Sequence, residues 1–174
     1  MKSLTALLIG DFGRQEFSEA AETIARAGKV AMVDTLADAL QRIDGGQFQP
    51  DLIVLACAWP GQFDHAQLYA LRRRLPLARF LSVLGSWCEG ETRSGDPWPG
   101  MLRTYWHHWL PHWSSELRQF VRHQLTTWGL PTTASDDERW IGAAPLPQGG
   151  QGLILIQSAT WDMAEMLCQS CQQR

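Results

Sequence analysis

Four short apolar runs recur along the first half of the chain. A nearly continuous apolar run of this length is typical of a strand that is covered on both faces of a sheet. The runs are residues 4–9, 30–33, 52–56 and 80–84. They predict four buried β-strands.

The segments between these runs have the spacing of amphipathic helices. In the first of them, Phe17, Ala20 and Ile24 recur at intervals of three and four residues, which places them on one helical face. Glycine or proline follows the segments, as at Gly28 and Pro76, and fits their ends. Strands that alternate with helices form a parallel sheet through right-handed crossovers. The pattern therefore predicts an α/β fold with a doubly wound parallel sheet in three αβα layers.

The alternation is less regular after residue 86. Residues 88–100 hold three glycines and two prolines, which predicts a loop. Residues 101–110 predict a fifth strand that is distorted by aromatic bulk. A last helix follows, with Ser114 or Ser115 as its N-cap and Leu117 and Phe120 on its apolar face.

The pattern divides the chain into three parts. Residues 1–125 form the predicted α/β domain, and residues 126–152 are rich in Pro, Gly, Thr and Asp, as expected of a linker or a draped extension. Residues 153–174 return to a strand followed by a helix. The strand residues are Leu153, Ile154, Leu155 and Ile156.

An apolar strand with a bare edge invites association, so this tail strand needs a partner. Three arrangements are open. The strand extends the sheet of its own domain, pairs with the same strand of a second copy to form a homodimer, or begins a further module.

Composition narrows the classes of function. The chain has 174 residues, of which 45% are apolar, and a net charge of −3, so it carries no sign of a surface for nucleic acid or an anionic membrane. Its apolar runs are far shorter than the roughly 18–20 residues of a membrane helix. Four cysteines in a chain of this length do not indicate a disulfide framework, which favours a reducing, cytoplasmic setting. No cofactor is expected, because the segment around Gly10 has too few glycines to form a phosphate-binding loop.

Two segments resemble a known family. Pro50-Asp51, the apolar run that follows and then Pro60-Gly61 resemble the third-strand segment of response-regulator receiver domains. In that family the strand leads to a phosphoacceptor aspartate. Leu110-Pro111 resembles the segment before the last helix, where the family has a lysine and a proline. The resemblance covers roughly residues 4–125 and implies a receiver-like, flavodoxin-like fold.

The residues that receiver chemistry needs are largely missing. The resemblance places Ala56 at the phosphoacceptor, Gly10 and Asp11 at the acidic pair, Gly85 or Ser86 at the hydroxyl position and Leu110 at the lysine position. Alanine cannot form an acyl phosphate, and a single carboxylate binds Mg²⁺ weakly. The resemblance therefore implies a pseudo-receiver that is neither phosphorylated nor an enzyme. Such a chain would act as a protein-interaction or dimerisation module in signalling or regulation.

An alternative function uses the cleft beyond the carboxyl ends of the strands, where doubly wound folds bind ligands. Asp11, Cys57 and Ser86 would face this cleft, together with His107 or His108. The arrangement would suit a small-molecule sensor or an enzyme. Asp11 is more often a solvated or capping residue at the end of a strand.

Residues 106–113 form the most unusual segment, with three tryptophans and three histidines. Adjacent histidines on a strand point in opposite directions, and a structural zinc site needs four ligands, so no metal is expected. Two interpretations are open: a half-buried aromatic wall, or a protein interface anchored by tryptophan. The interface candidates are Trp106, Trp109, Trp113 and the four residues of the tail strand.

Overall fold

The computed structural model describes residues 4–46, 48–91, 98, 100–122, 126, 156–158 and 160–172. The chain divides into two compact units, Met1–Ala143 and Ala144–Arg174. The division lies within the stretch that the sequence predicts to be a linker.

The first unit contains a sheet of five parallel strands. They are β1 (Leu4–Ile9), β2 (Gly28–Val33), β3 (Leu52–Cys57), β4 (Arg79–Leu84) and β5 (Leu102–Tyr105). Their order in the sheet is β2-β1-β3-β4-β5, and every neighbouring pair is parallel. This is the strand order of flavodoxin-like folds, and it confirms the predicted doubly wound sheet.

Helices cover both faces of this sheet. They are α1 (Gln15–Ala27), α2 (Leu36–Asp44), α3 (His65–Arg74) and α4 (Ser114–Val121). Phe17 of α1 and Leu117 of α4 pack in one apolar core, whereas Leu36 of α2 and Leu71 of α3 pack in the other. Successive residues of the buried strands alternate between the two cores, as strand geometry requires. The predicted three-layer arrangement is therefore confirmed.

The segment after β5 differs from the prediction. The strand ends at Tyr105, and a 3-10 turn (Trp106–His108) and a π-helical turn (Trp109–Trp113) lead directly into α4. The hydroxyl of Ser114 donates to the carbonyl oxygen of Leu110 at 2.8 Å. The prediction that Ser114 or Ser115 is an N-cap is wrong, because an N-cap needs an extended backbone and the chain enters α4 from a helical turn.

The second unit contains α5 (Trp161–Gln172), which confirms the helix predicted in the tail. The predicted strand at 153–156 lies outside the described residues except for Ile156, which is not in a strand. Within the described ranges, no helix is long and apolar enough to cross a membrane.

Candidate functional site

The carboxyl ends of β1, β3 and β4 meet at one edge of the sheet, which we call the carboxyl edge. Gly10 follows β1 with a φ of 108°, and a Cβ at this position would lie 3.0 Å from the carbonyl oxygen of Ala56. Both the positive φ and the close approach favour glycine. Ala56 is buried in β3, and the N–H of Gly85 donates to the carbonyl of Cys57 at 2.8 Å. The structure thus brings Gly10, Ala56 and Gly85 together.

Asp11 is exposed in the loop between β1 and α1. Its Oδ1 accepts a hydrogen bond from the N–H of Gly13 at 3.1 Å. An aspartate that binds the backbone two residues later stabilises a turn. This contact supports a structural role for Asp11.

Glu16, which the sequence analysis does not single out, lies in the first turn of α1 at this edge. Its side chain is only 10% exposed. Oε2 accepts hydrogen bonds from the N–H and the hydroxyl of Ser86, both at 2.8 Å, and Oε1 accepts one from Nε of Arg14 at 2.9 Å. A Cβ on Gly85 would lie 2.8 Å from the carboxylate, so glycine at this position leaves room for Glu16. We call Glu16, Ser86 and Arg14 the Glu16 network.

The electrostatics of this network keep Glu16 charged. Burial by itself raises the pKa of Glu16, but the hydrogen bonds from Ser86 and Arg14, together with the guanidinium charge, outweigh it and lower the pKa below its ordinary value. The carboxylate is therefore ionised at neutral pH and is bound by donors of its own chain.

A groove of about 560 Å³ lies beside the network, lined by Arg14, Gln15, Glu16, Ser86 and Trp106. Trp106 directly follows the last residue of β5. Leu110, which the resemblance assigns to the lysine position, lies instead in the π-helical turn and is exposed. The structure places Trp106, not Leu110, at the carboxyl end of β5, because the strand is shorter than the sequence predicts.

Three tryptophans follow three neighbouring strands at the carboxyl edge. Trp59 comes after β3, Trp87 after β4 and Trp106 after β5. Trp87 is 76% exposed and Trp59 is 52% exposed, and Trp106 is half-buried. We call these three residues the tryptophan rim. Their recurrence just beyond successive strands is visible in the sequence and is the signal that could have identified them, whereas the cluster at 106–113 stands out only by its density of aromatic residues.

Trp109, predicted as an interface residue, is fully buried and belongs to the core between the sheet, α1 and α4. Its Nε1 has no hydrogen-bond partner in the described part of the chain. Trp113 is half-buried and packs against the same core. Trp109 is therefore a core residue, because the π-helical turn directs it inward, and it is not available to a partner.

His107 and His108 belong to an aromatic cluster with Tyr105. The rings of Tyr105 and His107 stack at 5.6 Å between centroids, and those of His107 and His108 are 4.3 Å apart. The two histidines do not alternate across a strand as predicted, because β5 has already ended. Among the residues that the structure describes, no group of three or more His, Cys, Asp or Glu side chains could hold a metal ion.

Cys57 and Cys88 are buried neighbours beneath the tryptophan rim. Their Sγ atoms are 3.9 Å apart and both thiols are free. Burial is the main cause that raises the pKa of each thiol. Protonated, buried thiols are poor nucleophiles, which argues against a reactive role for Cys57.

We expect iodoacetamide to alkylate the exposed Cys168 much faster than Cys57 and Cys88 in the folded protein. The reason is that the reaction needs an accessible thiolate. Peptide mass spectrometry over a time course measures each rate, and protein unfolded in urea is the control in which the three rates converge. Rapid labelling of Cys57 or Cys88 in the folded chain would contradict their burial.

Comparison with known proteins leaves the chain without an assigned family. No protein-family model matches it, and no curated protein matches it either. The receiver resemblance therefore depends on the sequence segments that suggested it and on a strand order that many α/β proteins share.

Proposed function

We propose that this chain is a non-catalytic, receiver-like module that binds a protein partner in signalling or regulation. One observation carries the proposal. The carboxyl edge of a flavodoxin-like sheet has Ala56 in its central strand, and the carboxylate of Glu16 at the same edge is bound by Ser86 and Arg14.

The chemistry of this edge favours binding over catalysis. A phosphoryl acceptor must present a free carboxylate, and the methyl group of Ala56 offers none. Glu16 accepts three hydrogen bonds at 2.8–2.9 Å and has a lowered pKa, which reduces its nucleophilicity. Asp11 accepts the N–H of Gly13 and is the single carboxylate that the receiver resemblance retains. Carboxylates that are held by hydrogen bonds in this way are suited to binding a partner and poorly suited to catalysis.

We expect no phosphorylated species after incubation with acetyl phosphate and Mg²⁺, because Ala56 stands at the phosphoacceptor position and the carboxylate of Glu16 is bound by Ser86 and Arg14. Intact mass spectrometry measures the product, and tryptophan fluorescence detects any response to beryllofluoride. An active receiver domain treated in parallel is the positive control. A specific mass increase that disappears in Asp11→Asn or Glu16→Gln would overturn the proposal.

The groove beside the Glu16 network supports a second candidate, a small-molecule sensor. Its volume of about 560 Å³ and its lining of four polar residues and one tryptophan are suited to a small ligand. However, Ser86 and Arg14 already donate to Glu16, which leaves fewer donors for a ligand. A bound compound that native mass spectrometry detects in the purified protein, and that Trp106→Ala releases, would favour this candidate.

The number of cysteines indicates the compartment in which the protein works. Four cysteines in a chain of 174 residues do not indicate a disulfide framework, which favours a reducing compartment. We propose the cytoplasm on this basis.

A further inference from the structure

Four described loop segments at the carboxyl edge carry more acidic than basic residues. In the described loops 10–14, 34–35, 58–64 and 85–91, Arg14 is the single Lys or Arg, and its Nε is bound to Glu16 at 2.9 Å. The same four loops carry five acidic residues: Asp11, Asp34, Asp64, Glu89 and Glu91. The described segments that carry Trp59 and Trp87 therefore have a net negative charge.

Acidic residues occupy the same loops as the exposed tryptophans. Glu89 is exposed and comes two residues after Trp87. Asp64 is exposed in the loop that carries Trp59, where its Oδ2 caps α3 by accepting the N–H of Gln67 at 2.9 Å, so Oδ1 is the oxygen that faces a partner's donor. The charges of Glu91 and Glu16 also reach Cys88, the residue after Trp87, where they add to the effect of burial in raising the pKa of the thiol. Trp59 and Trp87 are thus exposed in loops whose described charged residues are acidic.

An exposed indole next to carboxylates is suited to a guanidinium group. A cation that stacks on an indole face is attracted by the negative charge of the ring face, and more strongly where water is excluded. Carboxylates add charge-assisted, bidentate hydrogen bonds to the same group. Trp and Arg are also the residues most enriched where binding energy concentrates in interfaces. Arginine is favoured over lysine because its planar group can stack and pair at once.

We propose that the tryptophan rim, with Glu89 and Asp64, docks an arginine-rich segment of a partner protein. The inference rests on the proposed function and names the chemistry of the partner. A second copy of this chain is a weaker candidate. Its exposed arginine run, 72–74, ends in Arg74, whose guanidinium is already bound to both carboxylate oxygens of Asp44, at 2.6 and 3.1 Å.

The test uses the full chain and a fluorescein-labelled peptide of four Arg-Gly repeats. Fluorescence anisotropy at low and high NaCl measures the affinity. We expect saturable binding that weakens with salt, weaker binding of the Lys-Gly peptide, and none of the Glu-Gly peptide. Trp87→Ala and Trp59→Ala are each expected to reduce the affinity at least about tenfold, as the loss of an interface anchor does.

Two matched controls distinguish the rim from general surface effects. Leu77→Ala removes a large apolar side chain that is 95% exposed and lies just before β4, at the opposite edge of the sheet, and it should leave the affinity unchanged. Glu89→Gln should weaken binding and reduce its salt dependence, whereas Glu22→Gln, on the exposed face of α1, should do neither.

Three outcomes would overturn the inference: no saturable binding of the arginine peptide, full affinity in both tryptophan variants, or an equal loss in Leu77→Ala. A fourth outcome that would overturn it comes from light scattering. If the protein is a dimer and Trp87→Ala converts it to a monomer, the rim is a self-association surface. The peptide assay contains no phosphodonor. Its failure is therefore distinct from a failure of the proposed function, which acetyl phosphate tests.

Discussion

Replacing Trp109 by alanine is expected to lower the free energy of unfolding by about 3–5 kcal/mol, the usual cost of truncating a large buried aromatic side chain. Trp109 is fully buried in the core that contains Phe17 and Leu117, so the change leaves a cavity and removes apolar contact. A domain of this size is stable by only about 5–15 kcal/mol. Urea denaturation followed by far-UV circular dichroism measures the loss.

Two further variants separate core packing from other effects at this turn. Leu110→Ala changes the next residue, whose side chain is exposed, and should alter stability by no more than about 0.5 kcal/mol. Trp109→Phe should cost distinctly less than Trp109→Ala, because it keeps most of the buried volume and loses an Nε1 that has no partner among the described residues. Wild-type stability in Trp109→Ala would show that the residue is not part of the core.

Glu16→Gln is expected to lower the free energy of unfolding by about 1.5–3 kcal/mol at pH 7, the range for hydrogen bonds that involve a charged group. The N–H and hydroxyl of Ser86 and the guanidinium of Arg14 all donate to this carboxylate. The amide keeps the shape of the side chain but removes the charge. Urea denaturation of both proteins at several pH values measures the difference.

The pH dependence has a defined sign. Because folding lowers the pKa of Glu16 from its ordinary value of 4.5, its contribution to stability is complete well above pH 4.5. The contribution is lost as the pH falls through the folded-state pKa. The difference between the wild type and Glu16→Gln should therefore be largest near pH 7 and decrease in acid. Glu19→Gln, an exposed change on the same helix, is the control. A similar loss in that variant, or a difference that persists at low pH, would contradict the role of the network.

The strands and most helices could be predicted from local pattern. Runs such as residues 52–56 are apolar because both faces of the sheet are covered. Burial on both faces requires apolar residues at consecutive positions, and such a run can be recognised locally. The predicted ends were accurate where glycine or proline interrupts the chain, as at Gly28 and Pro76. They failed after Tyr105, where the aromatic residues 106–113 have neither a clear strand period nor a helix period.

That failure changed the assignment of the candidate site. An overlong fifth strand placed Leu110 at its end, whereas the strand stops four residues before Trp109 and leaves Trp106 in that place. The same error made Trp109 look like an interface residue. Which of several adjacent tryptophans is buried depends on the rotation of the backbone in a turn, and a π-helical turn has no recognised sequence signature.

The sequence by itself determined the order of the elements, the covered parallel sheet and the alanine at position 56, because each depends on a residue type or on neighbours within a few positions. Only the tertiary structure decided that Glu16 binds Ser86, 70 residues away. It also decided that Trp59 and Trp87 lie exposed at the edge where Glu16 is bound, while Trp109 is buried. These contacts join loops and helices that are distant in the chain, and they exist only once parallel strands bring the ends of those elements to one edge of the sheet.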